Sequence, residues 1–327
     1  MRLFSLQDEA GSDARQGAGA PGDSPPPKRR RRFGWVRLSL DRSAVLVVGF
    51  AAGLGVGLSF ELRSETMPVV VAAPERPTAI PAPGNAAPAP ARDDAASPSA
   101  IARVHQTGKV RVGVFGDSFG VGVWEALDHQ LPRESGFEVL RFAKEATGFT
   151  QYHRLNLETR AREQLAADPV DIAVICFGAN DAVPFYDAGR EQPLMSEGWK
   201  RIVGERIDRF VAVARSTGAT VYWLGLPAMR DAQLDASVQA MNAFYAEQMR
   251  RLNVPFLETR TRSVDEQGRY AAYLPDGKTG ARKLMRTNDG LHMLGVGYQR
   301  ITAGLASRVE TLAQRMRSDA ATGAAAQ

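Results

Sequence analysis

From about residue 108 onward, short apolar runs alternate with amphipathic stretches, and no other feature restricts the architecture of this chain as much. Five runs read as strands: 110–115 (VRVGVF), 137–142 (FEVLRF), 171–177 (DIAVICF), 220–224 (TVYWL) and 254–257 (VPFL). Helical patterns lie between and after them, at about 119–131, 155–167, 197–216, 233–252 and 295–316. Strands that are apolar almost throughout must be covered on both faces, which parallel sheets with helical crossovers provide. The pattern predicts an α/β fold, a flavodoxin-like three-layer α/β/α sandwich on a mostly parallel five-stranded sheet. Chemistry in such sheets gathers at the carboxyl ends of the strands.

Three short polar blocks border those runs: Gly116-Asp117-Ser118, Gly178-Ala179-Asn180-Asp181 and Asp289-Gly290-Leu291-His292. Ser118 follows the first strand and opens a helix, so its N–H is unpaired and the helix dipole favours negative charge there. A serine at that position is also an ordinary helix cap, and Asp117 reads as a turn and capping residue. Asn180 follows the third strand with a side-chain amide able to donate to an oxyanion. An Asx-turn is the alternative role for Asn180, and Asp181 reads equally as the cap of the next helix. Of the four histidines, His105 lies at the end of the linker, His129 and His153 fall on helix-like or loop stretches without a nearby acid partner, and His292 has Asp289 three residues earlier. That spacing lets a carboxylate fold back onto one ring nitrogen and leaves the other to deprotonate a hydroxyl. Hydroxyl, amide and oriented imidazole form the inventory of serine acyl transfer.

With these residues the chain resembles the SGNH/GDSL hydrolases, and in particular a bacterial membrane-anchored envelope branch of unsettled function. GDSF stands for the GDSL block, GAND for GxND and DGLH for DxxH, and the resemblance covers about residues 108–316. It implies Ser118 as nucleophile, His292 as base, Asp289 as its orienter, and Asn180 with the Ser118 N–H in the oxyanion hole. It also implies a glycine donor after the second strand, for which Gly148 in KEATGFTQ is the match. Phe119 replaces the usual leucine. The phrases WLGLPAMR and MRTNDGLH place Arg230 and Arg286 near the site, to meet an anionic substrate or to form exposed salt bridges. Trp223, inside a strand, reads as core.

The 327 residues predict about two units, and the 44% hydrophobic and 24% charged content is ordinary for a globular protein. The net charge of +5 is concentrated in residues 1–42, where nine Lys/Arg face five Asp/Glu. The remainder is nearly neutral, which argues against nucleic acid as a partner. No GxGxxG stands in register and no GK[ST] follows, which argues against a nucleotide fold. Cys176 is the one cysteine, set in an apolar strand, and reads as a small buried hydrophobe. No CxxC pair or HExxH occurs, so neither metal nor cofactor is expected.

Residues 43–60 (SAVLVVGFAAGLGVGLSF) carry no charge and follow a cluster of Lys28 and Arg29 through Arg32. As a helix they span roughly 27 Å, enough for a bilayer core. The cationic flank predicts an uncleaved signal anchor with its N-terminus cytoplasmic and the rest outside the inner membrane. A cleaved signal is disfavoured by an n-region of about forty residues. Residues 61–107 read as an extended linker, with eight prolines between 68 and 100. Residues 317–327 read as a disordered tail. The function expected is a serine esterase acting on an O-acylated envelope carbohydrate or similar small ester through an acyl-enzyme. An O-acetyltransferase with a sugar acceptor, or an idle membrane-tethered glycan-binding scaffold, are the alternatives.

Overall fold

A computed structural model describes residues 95–277 and 279–325. The expected anchor at 43–60, the basic tail and most of the linker lie outside the described residues, and none of the described helices is long and apolar enough to cross a membrane.

Five parallel strands form one sheet: β1 (Val110–Gly116), β2 (Phe137–Arg141), β3 (Ile172–Cys176), β6 (Thr220–Leu224) and β7 (Phe256–Leu257). Their order is β2-β1-β3-β6-β7, the 2-1-3-4-5 arrangement of flavodoxin-like sheets. Alternate strand residues feed two cores. Val112, Val114, Ile172, Val174 and Leu224 point to one face. Phe115, Ala173, Ile175, Val221 and Trp223 point to the other. The first face is covered by α1 (Pro98–Thr107), α2 (Ser118–Gln130) and α6 (Gly295–Ala325). The second is covered by α3 (Leu157–Ala167), α4 (Glu197–Ala214) and α5 (Ala232–Arg251). The strand and helix expectations for the sheet hold to within about two residues at most ends.

Two expectations are corrected. The last ten residues assigned to the linker form α1, started by Ser97, whose hydroxyl accepts the Ala100 N–H, and by Pro98 in the first turn. Proline at that position begins a helix as readily as it extends a linker, and Ala100 and Val104, four apart, are buried in the core of the first face. At the other end α6 continues to Ala325, into the segment 317–327 expected to be a disordered tail. Its Leu312, Ala313 and Met316 belong to the core of the first face, which carries the helix onward. Two small antiparallel hairpins also escape the periodicity: β4 (Phe185–Asp187) with β5 (Arg190–Gln192), and β8 (Tyr273–Pro275) with β9 (Arg282–Leu284).

Register brings the polar blocks together. Gly116 ending β1 lies opposite Cys176 ending β3, so the segments carrying Ser118 and Asn180 leave the sheet side by side. Gly116 has φ +157°, and a Cβ there would lie 2.2 Å from the Cys176 carbonyl oxygen, so the position requires glycine. The third block arrives with α6. Tyr298 packs its ring directly on Gly122 of α2, and Gln130 donates to the Gln299 carbonyl at 2.9 Å.

Candidate active site

His292 Nε2 stands 2.8 Å from Ser118 Oγ, and His292 Nδ1 stands 2.8 Å from Asp289 Oδ2. The three residues therefore form a continuous relay, in which the Asp289–His292 contact is the fold-back that a three-residue spacing allows. Local chemistry explains the acid's pose. The loop closes on itself through a bridge between Arg286 and Met293. Inside it, Asp289 Oδ1 accepts the N–H groups of Leu291 at 2.8 Å and His292 at 3.0 Å, together with the Thr287 hydroxyl. Partial burial alone raises the acid's pKa, but the bonds from Thr287, the His292 ring and the two amides outweigh it. The carboxyl is held well below its usual range. The imidazole rests on the Phe119 ring, centroids 5.2 Å apart and 23° from parallel. The aromatic residue in place of leucine thus supplies a stacking floor for the imidazole.

The candidate donors are the N–H groups of Ser118 and Gly148 and the Asn180 amide. Among the described residues neither the Ser118 N–H nor the Gly148 N–H has a hydrogen-bond partner. Asn180 donates from Nδ2 to the Thr147 carbonyl at 3.0 Å, while Asp117 Oδ2 lies 3.5 Å from the same nitrogen. An amide nitrogen carries two hydrogens, so one is committed to Thr147 and the other is at most weakly held. Asp117 is wholly buried and accepts the Phe119 N–H at 2.9 Å and the Gly178 N–H at 3.3 Å. It is the helix cap that its position suggested. Burial, reinforced by the nearby Asp181 charge, pushes its pKa up to about 7 against the pull of those amides.

Asp181 differs from expectation. It does not cap the following helix, which is capped by Ser196. Its buried side chain turns back to residues 149 and 150 instead.

The two arginines part ways. Arg230 is exposed, in no ion pair among the described residues, and donates from Nη2 to the Asn288 carbonyl at 2.8 Å beside the triad loop. Arg286 is 1% exposed and forms no salt bridge among the described residues, so it is not the exposed salt bridge that was the alternative. It donates to the carbonyls of Ala228 at 2.7 Å, Ser263 at 3.3 Å and Leu291 at 3.4 Å, and stacks on Tyr270. It therefore ties the triad loop to two neighbouring loops from within. Trp223 is core, and Trp124 donates to the Val139 carbonyl at 3.2 Å beside Arg141. His105, His129 and His153 are exposed. A buried arginine that holds carbonyls leaves no mark in sequence, since arginine reads as surface.

A family model described as a protein of unknown function, DUF459, matches residues 111–308. No curated protein matches the sequence. Among solved structures, the chain is similar to a GDSL-like lipase from Bacteroides thetaiotaomicron at 17% identity, covering 65% of this chain and 98% of that one, with a TM-score of 0.44. It is similar to a carbohydrate acetylesterase from Sinorhizobium meliloti at 16% identity, covering 62% and 100%, with a TM-score of 0.44. It is also similar to the periplasmic domain of a lipopolysaccharide acetyltransferase from Salmonella ser. Paratyphi A, at 10% identity, covering 64% and 87%, with a TM-score of 0.45.

Proposed function

The chain belongs to the DUF459 family, an SGNH-hydrolase-like family, and from that premise we propose that it is a serine-dependent ester hydrolase acting on O-acylated carbohydrate of the cell envelope. The observation that carries the reading is the unbroken relay of two 2.8 Å contacts from Asp289 through His292 to Ser118 at a helix N-terminus. Ser118 Oγ attacks the ester carbonyl while its proton passes to His292 Nε2. The imidazolium is stabilised by the ionised Asp289 at Nδ1. The tetrahedral oxyanion is received by the N–H groups of Ser118 and Gly148 and by the Asn180 amide, at the positive end of α2. Collapse expels the alcohol, which takes the proton from His292, and leaves an acyl group on Ser118. Water then attacks, His292 accepts its proton and returns it to Ser118, and the carboxylic acid departs.

The glycan as substrate is supported by an open triad and by the sequence. The side chains of His292 and Asp289 are 30% and 47% exposed, which admits an ester carried on a bulky polymer. The segments at 43–60 and 61–97 would tether the domain outside the membrane. The test is to assay the full chain on p-nitrophenyl acetate and on O-acetylated envelope polysaccharide, beside Ser118→Ala. Acetate release by the wild type alone supports the reading. Equal rates in both proteins overturn it, and acetyl appearing on an added sugar rather than as free acetate would make the protein an O-acetyltransferase.

A further inference from the structure

The loop that carries Gly148 is held from behind by a group that the proposed reaction never touches. Asp181 is fully buried. Its Oδ2 accepts the Phe149 N–H at 3.0 Å, and its Oδ1 accepts both the Thr150 N–H at 2.8 Å and the Thr150 hydroxyl at 2.7 Å. The same carboxylate lies flat against Gly148, where a Cβ would sit 2.4 Å from Oδ1 and 2.9 Å from Cγ. We propose that Asp181 is the positioning residue of the oxyanion hole: its carboxylate takes up the amides of residues 149 and 150 so that the Gly148 N–H alone is left facing the reacting carbonyl. The proposal rests on the hydrolase reading given above.

Three consecutive N–H groups open the short turn at 148–150. Left to themselves they would compete for any anion, and the loop would have no single pose. The carboxylate removes two from that competition and adds a third bond from the Thr150 side chain. Gly148 is extended, with φ 174° and ψ 167°, which any residue adopts, so its lack of a side chain answers to the closeness of Asp181 and not to backbone strain. The two positions therefore constrain each other, one by supplying the acceptor and the other by making room for it.

A buried anion beside an oxyanion site is electrostatically unhelpful, and the surroundings reduce that cost. Burial raises the pKa of Asp181, and the bonds from Thr150 and Phe149 and then the charge of Arg206, which also donates to the Phe149 carbonyl at 2.7 Å, act against that rise. Because every contact to the carboxylate is a donor, the ionised form is the one that fits. If the carboxylate's charge were its main influence, a neutral replacement would speed the reaction. If its geometry matters, the same replacement slows it, since an Asn amide cannot accept at both oxygens and sets N–H against N–H.

The experiment compares Asp181→Asn and Thr150→Val with wild type in the full chain, with Ser118→Ala as the dead control. Asp181→Asn should lower kcat about 10- to 100-fold with KM little changed. It should weaken inhibition by a methylboronic acid, whose tetrahedral adduct mimics the intermediate, by a similar factor. The acid limb of the pH profile should stay in place. Thr150→Val should move kcat and boronate affinity the same way by less, and it decides the matter if Asp181→Asn does not fold. Unchanged or increased kcat in folded variants overturns the proposal, as does a loss in kcat without loss of boronate affinity. A wild type no faster than Ser118→Ala would instead overturn the hydrolase reading, and this inference with it.

Discussion

His292 Nε2 and Ser118 Oγ are 2.8 Å apart although 174 residues separate them in the chain. The contact joins the N-terminus of α2 to the loop before α6, two helices that pack together on one face of the sheet. In the proposed reaction it makes the base and the nucleophile a single unit.

If they act as one unit, Ser118→Ala, His292→Ala and Asp289→Asn should each depress turnover strongly, and the triple variant should be little worse than Ser118→Ala. Asp289→Asn should hurt through loss of the orienting acceptor at Nδ1. Steady-state kinetics on p-nitrophenyl acetate provide the check, and multiplicative losses would disprove the unit.

Asn180→Ala should lower kcat about 100- to 1,000-fold with KM almost unchanged, because its amide is proposed to meet charge present only in the transition state. A rise in KM at constant kcat would make Asn180 a ground-state contact instead.

Stability should depend on pH through two carboxyls with opposite signs. Asp117 is raised from 3.8 to about 7, so between those values the folded state holds a proton that the unfolded state has released. Its contribution therefore falls as pH rises through that window. Asp289 is lowered from 3.8, so its contribution is present above 3.8 and is lost as pH falls through its folded value. Denaturant titrations across pH should show the first slope vanish in Asp117→Asn. The gap between wild type and Asp289→Asn should close only in strong acid.

Arg103 of α1 donates to the carbonyls of Val170 and Thr217, each at 2.8 Å, and pairs with Asp171, whose side chain is 1% exposed. Arg103→Ala leaves that carboxylate buried without its cation and should cost about 2–3 kcal/mol. Chemical denaturation measures it. A change below about 0.5 kcal/mol, the scale of an ordinary surface substitution, would mean that α1 is a passive extension of the linker.

If 43–60 is an uncleaved anchor, a reporter fused after Gln327 should be active only outside the cytoplasm, and the mature protein should retain its basic N-terminus. A reporter active in the cytoplasm, or a mature protein starting after residue 60, would rule the anchor out.

Periodicity and spacing made the sheet, five of its helices and the Asp289–His292 pair legible in the sequence, because strand and helix periods and a three-residue fold-back are local properties. The limits were local as well. Pro98 reads alike as linker and as helix start, and hairpins of three residues per strand carry too few positions for a period to show.

What the amino-acid order determined by itself, then, was which segments are strands, which are helices, and which polar side chains stand at their junctions. Only the tertiary structure decided what those junctions meet. Arg286 became an internal strut and Asp181 turned back on the Gly148 loop, while Phe119 became the floor under His292. The reason is physical: a buried polar group must find its hydrogen-bond partner wherever packing places one. Strand register and helix docking choose that partner from segments far away in sequence.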